Sequence, residues 1–230
     1  ADTDILANAA NVASGATLTV DASLMTTTVL TFSGIKETTT PGHLNITTLG
    51  TGAHLITLGS GNDTYTSTNT AGANTVVATG GTNTITTGDG GDGITLGSGV
   101  DNVNAGAGND TITVAHANLV STDTIAGGTG TDTLTMSNAA TVVDADFTLV
   151  TGVETLSYGN NAVTVTLGAA SMAAGIATIT DGSGVTTLTV GAGHTSALTV
   201  ALGAGNDAIT GSASAAALTV TVTDSNLDAS

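Results

Sequence analysis

The chain has 230 residues, with 18 acidic side chains against a single base, Lys36, and a formal net charge of −17 at pH 7. That balance excludes nucleic acid and anionic membrane surfaces as partners, because both are held by basic patches. Only 8% of residues are charged and 40% are hydrophobic, which excludes a solvated acidic tail.

Glycine occurs 32 times and aromatics make up 2% of the chain, so the interior is expected to be thin and filled by Val, Ile, Leu and Ala. The bias to Thr, Val and Ile favours strands. Cysteine is absent, so disulfides play no part and the redox compartment is left open. No apolar run is long enough for a transmembrane helix, so no membrane insertion is expected. The N-terminus has neither the basic region nor the apolar core of a signal peptide. The chain starts and stops in ordinary repeat-like sequence and reads as a piece of a longer protein.

Residues 1–45 form a strand-rich leading segment. Ala16-Thr17-Leu18-Thr19-Val20 and Val29-Leu30-Thr31-Phe32 alternate, as half-buried strands do. Asp2 and Asp4 read as solvated end residues, with a ligand role as the lesser alternative. Pro41-Gly42 marks a turn and a local boundary.

Residues 46–136 carry a repeat. Thr87 to Val114 read TGDGGDGITLGSGVDNVNAGAGNDTITV, three units of the form G-x-G-x-D-x-U-x-x with U a large apolar residue. They are Gly88, Gly90, Asp92, Ile94; Gly97, Gly99, Asp101, Val103; and Gly106, Gly108, Asp110, Ile112. A fixed short period is the mark of a solenoid whose unit is one turn plus one short strand. Two units make a coil of about eighteen residues, so Asp92 and Asp110 belong on one edge and Asp101 on the other. Alternate glycines let the backbone enter the left-handed region and turn carbonyl oxygens inward. Carboxylates and carbonyls are hard oxygen ligands suited to Ca²⁺. Carboxylates stacked at the strand spacing of about 4.8 Å repel by about 3–4 kcal/mol at an effective dielectric near 20. A cation between them reverses the sign.

Upstream, Gly59-Ser-Gly61-Asn-Asp63-Thr-Tyr65 is another copy. Gly50-Thr-Gly52-Ala-His54-Leu-Ile56 has the frame with His54 in the aspartate position, read as a worn repeat with a solvent-facing histidine. His43, His116 and His194 share no spacing with it, so no histidine metal site is expected. Asn74 and Asn83 keep the register before Asp92, with Val76 and Ile85 as apolar partners, and stack without charge. Downstream, Asp123 and Ile125 precede the fullest match, Gly127-Gly128-Thr129-Gly130-Thr131-Asp132-Thr133-Leu134. The insert at Ala115 to Val120 is expected to bulge from the roll.

Residues 137–230 read as a degenerate β-solenoid or β-domain. Strand patterns persist at Val163-Thr-Val165-Thr-Leu167, Leu188-Thr-Val190 and Leu198-Thr-Val200. Gly182-Ser-Gly184-Val-Thr186 keeps the frame with threonine for aspartate, and Gly203-Ala-Gly205-Asn-Asp207-Ala-Ile209 restores the acid. The acid pair Asp144 and Asp146 reads as an exposed turn, with a calcium site outside the repeat as the lesser alternative.

These units resemble the repeats-in-toxin (RTX) calcium β-roll, G-G-x-G-x-D-x-U-x. Gly152-Val153-Glu154-Thr155-Leu156 follows the full repeat by a short spacer. That order, followed by Thr/Val/Ala-rich strands and a further GAGND, resembles calcium-binding bacterial S-layer proteins and large RTX adhesins secreted by the type I route. Gly34-Ile35 reads as a worn copy of the same element. The resemblance implies an all-β parallel β-roll or β-solenoid. It also implies an extracellular, cell-surface structural role, self-association in a lattice, and attachment to cell-surface polysaccharide through a region outside this chain. The expected cofactor is Ca²⁺. The expected ligands are Asp92, Asp101 and Asp110, then Asp132, Asp63, Asp207 and Asp123. Backbone carbonyls of the glycine turns (Gly59, Gly61, Gly88, Gly90, Gly97, Gly99, Gly106, Gly108, Gly128, Gly130, Gly203 and Gly205) complete each shell.

Two other readings are a stalk or extender of a large RTX adhesin and the RTX region of a secreted enzyme whose catalytic domain lies elsewhere. Within the chain there is no nucleophile–base arrangement, no H-E-x-x-H and no phosphate loop, so no catalysis is expected here. The outward turn positions Ser60/Asn62, Asp89/Gly91, Ser98/Val100 and Ala107/Asn109 form no regular ladder, which argues against ice binding.

Overall fold

A computed structural model describes residues 3–6, 12–13, 15–25, 27–34, 42–211 and 218–222. The fold is all-β, and its parallel sheets form a β-solenoid. Two compact units are resolved, residues 1–113 with 122–132, and residues 114–121 with 133–230.

The first unit contains β1 (Thr3–Leu6), β2 (Thr17–Ala22), β3 (Leu30–Ser33), β4 (His43–Gly50), β5 (Leu55–Leu58), β6 (Thr64–Asn69), β7 (Thr75–Ala78), β8 (Thr84–Thr86), β9 (Gly93–Leu96), β10 (Asn102–Asn104), β11 (Thr111–Val114) and β12 (Thr124–Ala126). Odd strands lie side by side in one sheet and even strands in another, each in chain order. The pairing is parallel, with Ile56 on Val76, Val76 on Ile94, Tyr65 on Ile85 and Ile85 on Val103. The apolar U position of each repeat therefore stacks on the U position of the next coil. Ile56, Tyr65, Val76, Ile85, Ile94, Val103, Ile112 and Ile125 are each at most 1% exposed and form the core. Successive side chains of a strand point to opposite faces, so the threonines and asparagines between them face outward, as Thr75, Thr84, Asn102 and Thr111 do.

The second unit is built on the same plan from β13 (Thr133–Met136), β14 (Ala140–Val142), β15 (Val150–Thr151), β16 (Thr155–Ser157), β17 (Val163–Leu167), β18 (Thr178–Thr180), β19 (Thr186–Val190), β20 (Leu198–Leu202), β21 (Ala208–Gly211) and β22 (Leu218–Val222). Leu134, Leu156, Ile179 and Val200 stack in one parallel sheet, and Val165, Leu188 and Ile209 in another. A short helix, α1 (Ala169–Ala174), interrupts it. The strands expected at 163–167, 188–190 and 198–200 are all present.

The insert at 115–120 contains a 3₁₀ turn, His116–Asn118, and tucks Leu119 in to 4% exposure. Two expectations are corrected here. The Asp144/Asp146 pair is half-buried and not an exposed turn. Asp144 accepts the backbone N–H groups of Gly168, Ala170 and Ser171 at 2.7, 3.0 and 2.8 Å and so caps α1. Asp146 accepts the Val143 N–H at 2.9 Å and lies 3.4 Å from His116 Nε2. His54 is 1% exposed and does not face solvent. Asp2, Pro41 and Ile35 fall outside the described residues, as does the side chain of Asp4.

Candidate functional site

Where the turns of the first unit stack, the polar residue of each repeat enters the interior and forms a rung. Along one edge the Leu30 N–H donates to His54 Nδ1 (3.0 Å) and the His54 N–H to Asn74 Oδ1 (3.2 Å). The Asn74 N–H donates to Asp92 Oδ1, the Asp92 N–H to Asp110 Oδ1 (2.7 Å), and the Asp110 N–H to Asp132 Oδ1 (2.8 Å). Along the other edge the Leu44 N–H donates to Asp63 Oδ1 (2.9 Å), Asp63 N–H to Asn83 Oδ1 (3.1 Å), Asn83 N–H to Asp101 Oδ1 (3.2 Å), and Asp101 N–H to Asp123 Oδ1 (2.9 Å). Asp92 and Asp110 thus share one edge and Asp101 takes the other, as their spacing requires. Each of the nine side chains is at most 2% exposed.

Each asparagine and aspartate rung uses Oδ1 and leaves the second atom to find its own partner. The asparagines manage this, because an amide carries donors as well as an acceptor. Asn74 Nδ2 donates to the Thr87 carbonyl (2.8 Å), and Asn83 Nδ2 to the Gly80 carbonyl (3.2 Å) and to Asp101 Oδ1 (2.9 Å). The aspartates have no donor to offer. Oδ2 of Asp63, Asp92 and Asp110 is buried with no hydrogen-bond partner. Burial pushes the Asp92 carboxyl up to about 6, against the N–H of Asn74. It does the same to Asp110, against the N–H of Asp92, and the charges of Asp92 and Asp132 add to the rise. Burial also raises Asp63, and raises Asp101 with help from Asp123.

The glycine turns pack as closely as the side chains. Gly106 and Gly108 have φ of 100° and 136°, which side-chain-bearing residues rarely adopt. A Cβ on Gly106 would strike the Gly88 carbonyl, and one on Gly108 the Gly90 carbonyl. Gly97 and Gly203 do not use the left-handed backbone; glycine is needed there for close approach, to the carbonyls of Thr79 and Gly182. The turns form a third parallel ladder, bridging Asp89 to Ala107 and Ala107 to Thr129. The Gly88 and Gly106 carbonyls accept the N–H groups of Ala107 (3.0 Å) and Thr129 (2.9 Å). They are therefore not all turned inward, and the second lone pair is what each has left.

In the second unit Asp207 repeats the rung, with Oδ1 accepting the Thr186 N–H at 2.7 Å. Reading the repeat frame missed two other polar anchors. Asn69 is 2% exposed, donates to the carbonyls of Gly52 (2.6 Å) and Gly72 (3.0 Å), and accepts from Ala71 and Gly72. The Asn-Thr-Ala-Gly turn at 69–72 was the available signal. Asp181 was also missed, because it stands one residue before a glycine frame and not within it.

Among the described residues no three His, Asp or Glu side chains converge to hold an ion unaided. A metal on these edges would need carbonyl oxygens besides carboxylates. The aspartate and carbonyl donors on these edges are oxygens, and the orphaned Oδ2 atoms are groups that a hard cation would satisfy. The residues present fit that ligand. The chain matches no family model, no curated protein and no solved structure.

Proposed function

We propose that this β-solenoid is a calcium-stabilised structural segment of an extracellular bacterial surface layer, supplying rigid faces for lattice contacts. One observation carries the calcium half of the reading: Asp63, Asp92 and Asp110 each bury a carboxylate oxygen with no close hydrogen bond to a described residue. An unpaired buried charge costs several kcal/mol, and three on stacked turns are sustained by proton uptake or by a cation. Ca²⁺ accepts six to eight oxygen ligands in loose geometry, which suits carboxylates alternating with carbonyls. Asp92, Asp110 and Asp132 would hold it on one edge, and Asp63, Asp101 and Asp123 on the other.

The surface-layer half rests on the resemblance of the repeat order and on the regular outer faces of parallel sheets. Its test is assembly. Calcium added to the parent protein should produce ordered sheets by electron microscopy, and EDTA should disperse them. A calcium-saturated parent that stays monomeric would overturn the lattice role while leaving calcium binding intact.

A further inference from the structure

The inner corner of the second unit holds an arrangement the repeat frame does not account for. One residue beyond the paired Ser157, Thr180 and Ala201 stand Tyr158, Asp181 and Leu202. The ladder runs on through them, with the Tyr158 N–H on the Thr180 carbonyl (3.1 Å) and the Asp181 N–H on the Ala201 carbonyl (3.0 Å). Tyr158 is 0% exposed and Leu202 7%. A carboxylate therefore occupies a column of large, buried side chains. Both of its oxygens are buried, and neither makes a close hydrogen bond to a described residue, although the Gly182 N–H and the Thr186 hydroxyl lie near enough to favour its charged form. Two neutral oxygens share this condition. The Tyr158 hydroxyl and Thr186 Oγ1 are both buried and unpartnered, and Thr186 is 0% exposed. Thr186 and Asp207 are near enough to act on the Asp181 carboxyl, and Asp181 in turn on the Tyr158 phenol.

Comparison of frames explains the placement. In the first unit the sequence is Thr87-Gly88-Asp-Gly90-Gly-Asp92; in the second it is Asp181-Gly182-Ser-Gly184-Val-Thr186. Threonine and aspartate have exchanged ends of the same glycine turn. The acid missing from the repeat position stands instead at the other end of the turn, and Asp207 of the following coil brings a second carboxylate to the Thr186 backbone.

We propose that the second unit carries its own divalent-cation site, built from Asp181, Asp207 and Thr186 beside Tyr158, and that it takes Ca²⁺. Two carboxylates match the charge of one such ion. An all-oxygen donor set selects Ca²⁺ over softer metals. The site stands independently of the aspartate ladders of the first unit.

The chain holds two tyrosines and no tryptophan, so tyrosine-sensitised Tb³⁺ emission reports each tyrosine's surroundings. In a Tyr65→Phe protein only Tyr158 reports. Tb³⁺ should then give emission on tyrosine excitation that Ca²⁺ competes away. Asp181→Asn should reduce it at least tenfold, whereas Asp110→Asn, in the first unit, should leave it. Absence of emission, or emission unchanged by Asp181→Asn, would overturn the site. Should Asp181→Asn fail to fold by circular dichroism, hydrogen exchange on the unaltered protein decides. Ca²⁺ slowing the amides at 181–187 and 203–207 supports the site, and exchange unaffected there overturns it.

Discussion

Asparagine and aspartate occupy equivalent rungs of the same ladders, and the difference of one donor group governs what each rung demands. Asn83 satisfies both ends of its amide, whereas Asp110 satisfies one oxygen, with the Asp92 N–H, and faces the charges of Asp92 and Asp132. Asp110→Asn should therefore remove at least one Ca²⁺ from the stoichiometry measured by calorimetry, and should raise the Tm of the protein in EDTA. Unchanged stoichiometry would remove Asp110 from the ligand set.

The same rungs set a pH dependence. Folded-state values of about 6 for Asp92 and Asp110 stand above the ordinary 3.8. Stability from proton uptake is then fully present below 3.8 and is lost as pH rises through about 6. Over this range the buried rings of His54 and His194 oppose the gain, because each must charge as pH falls. Metal-free protein should therefore gain Tm from pH 7 toward 5 relative to an Asp92→Asn/Asp110→Asn protein that keeps both histidines. Asp144 works the other way. Burial raises it, but the N–H groups of Ser171, Ala170 and Gly168 and the Ser171 hydroxyl outweigh burial and hold it below 3.8. Its contribution is lost only in stronger acid. With Ca²⁺ present the slope between pH 7 and 5 should reverse, because protons then compete with the metal. A Tm difference in EDTA between these two proteins that stays constant over that range would contradict this account of the rungs.

At the scale of one coil, close packing of turns makes glycine identity specific to position. Gly106→Ala places a Cβ against the Gly88 carbonyl on a backbone that disfavours it, and should cost about 2–5 kcal/mol by denaturant unfolding. Gly93 is in β9 with nothing within 4 Å of an added Cβ. Gly93→Ala should be neutral or stabilising by up to about 1 kcal/mol. Equal effects at the two positions would refute the close-stacking account. Asn83→Asp should destabilise metal-free protein by about 1–3 kcal/mol, the range for a buried polar group left unsatisfied, with recovery in Ca²⁺.

The nine-residue frame made the rungs and the apolar stack legible, because one coil contacts only the next and the period is written along the chain. His54, Asp92 and Asp110 were placed correctly in register by that frame alone. The burial of His54 was not legible, since histidine is common on surfaces and only the rung above and below draws it inward. The role of Asp144 was hidden for a different reason. It caps a helix 24 to 27 residues away, and no local pattern encodes such a pairing. Asp181 escaped because its neighbour Thr186 emptied the frame position that the repeat marks.

Across the whole molecule, both units use parallel stacking of single-residue columns, but they load those columns differently. The first unit concentrates its aspartates at 92–132 and places the uncharged Asn74 and Asn83 next to them; the second keeps Asp181 and Asp207 among apolar and threonine columns. On the proposed reading, calcium demand is graded along the chain. Core truncation should be felt regardless of metal: Ile112→Ala, at 0% exposure, should cost about 2–5 kcal/mol with and without Ca²⁺. A loss appearing only in EDTA would instead make the apolar stack subordinate to the ions.

The central claim is that calcium orders these stacked aspartate turns, and a titration followed by far-ultraviolet circular dichroism tests it most directly. With Mg²⁺ as control and EDTA as reversal, the account predicts a cooperative gain of β signal with Ca²⁺ alone, undone by EDTA. A protein fully folded at neutral pH and indifferent to Ca²⁺ would contradict it. The asparagine, threonine and apolar columns would then hold the solenoid by themselves.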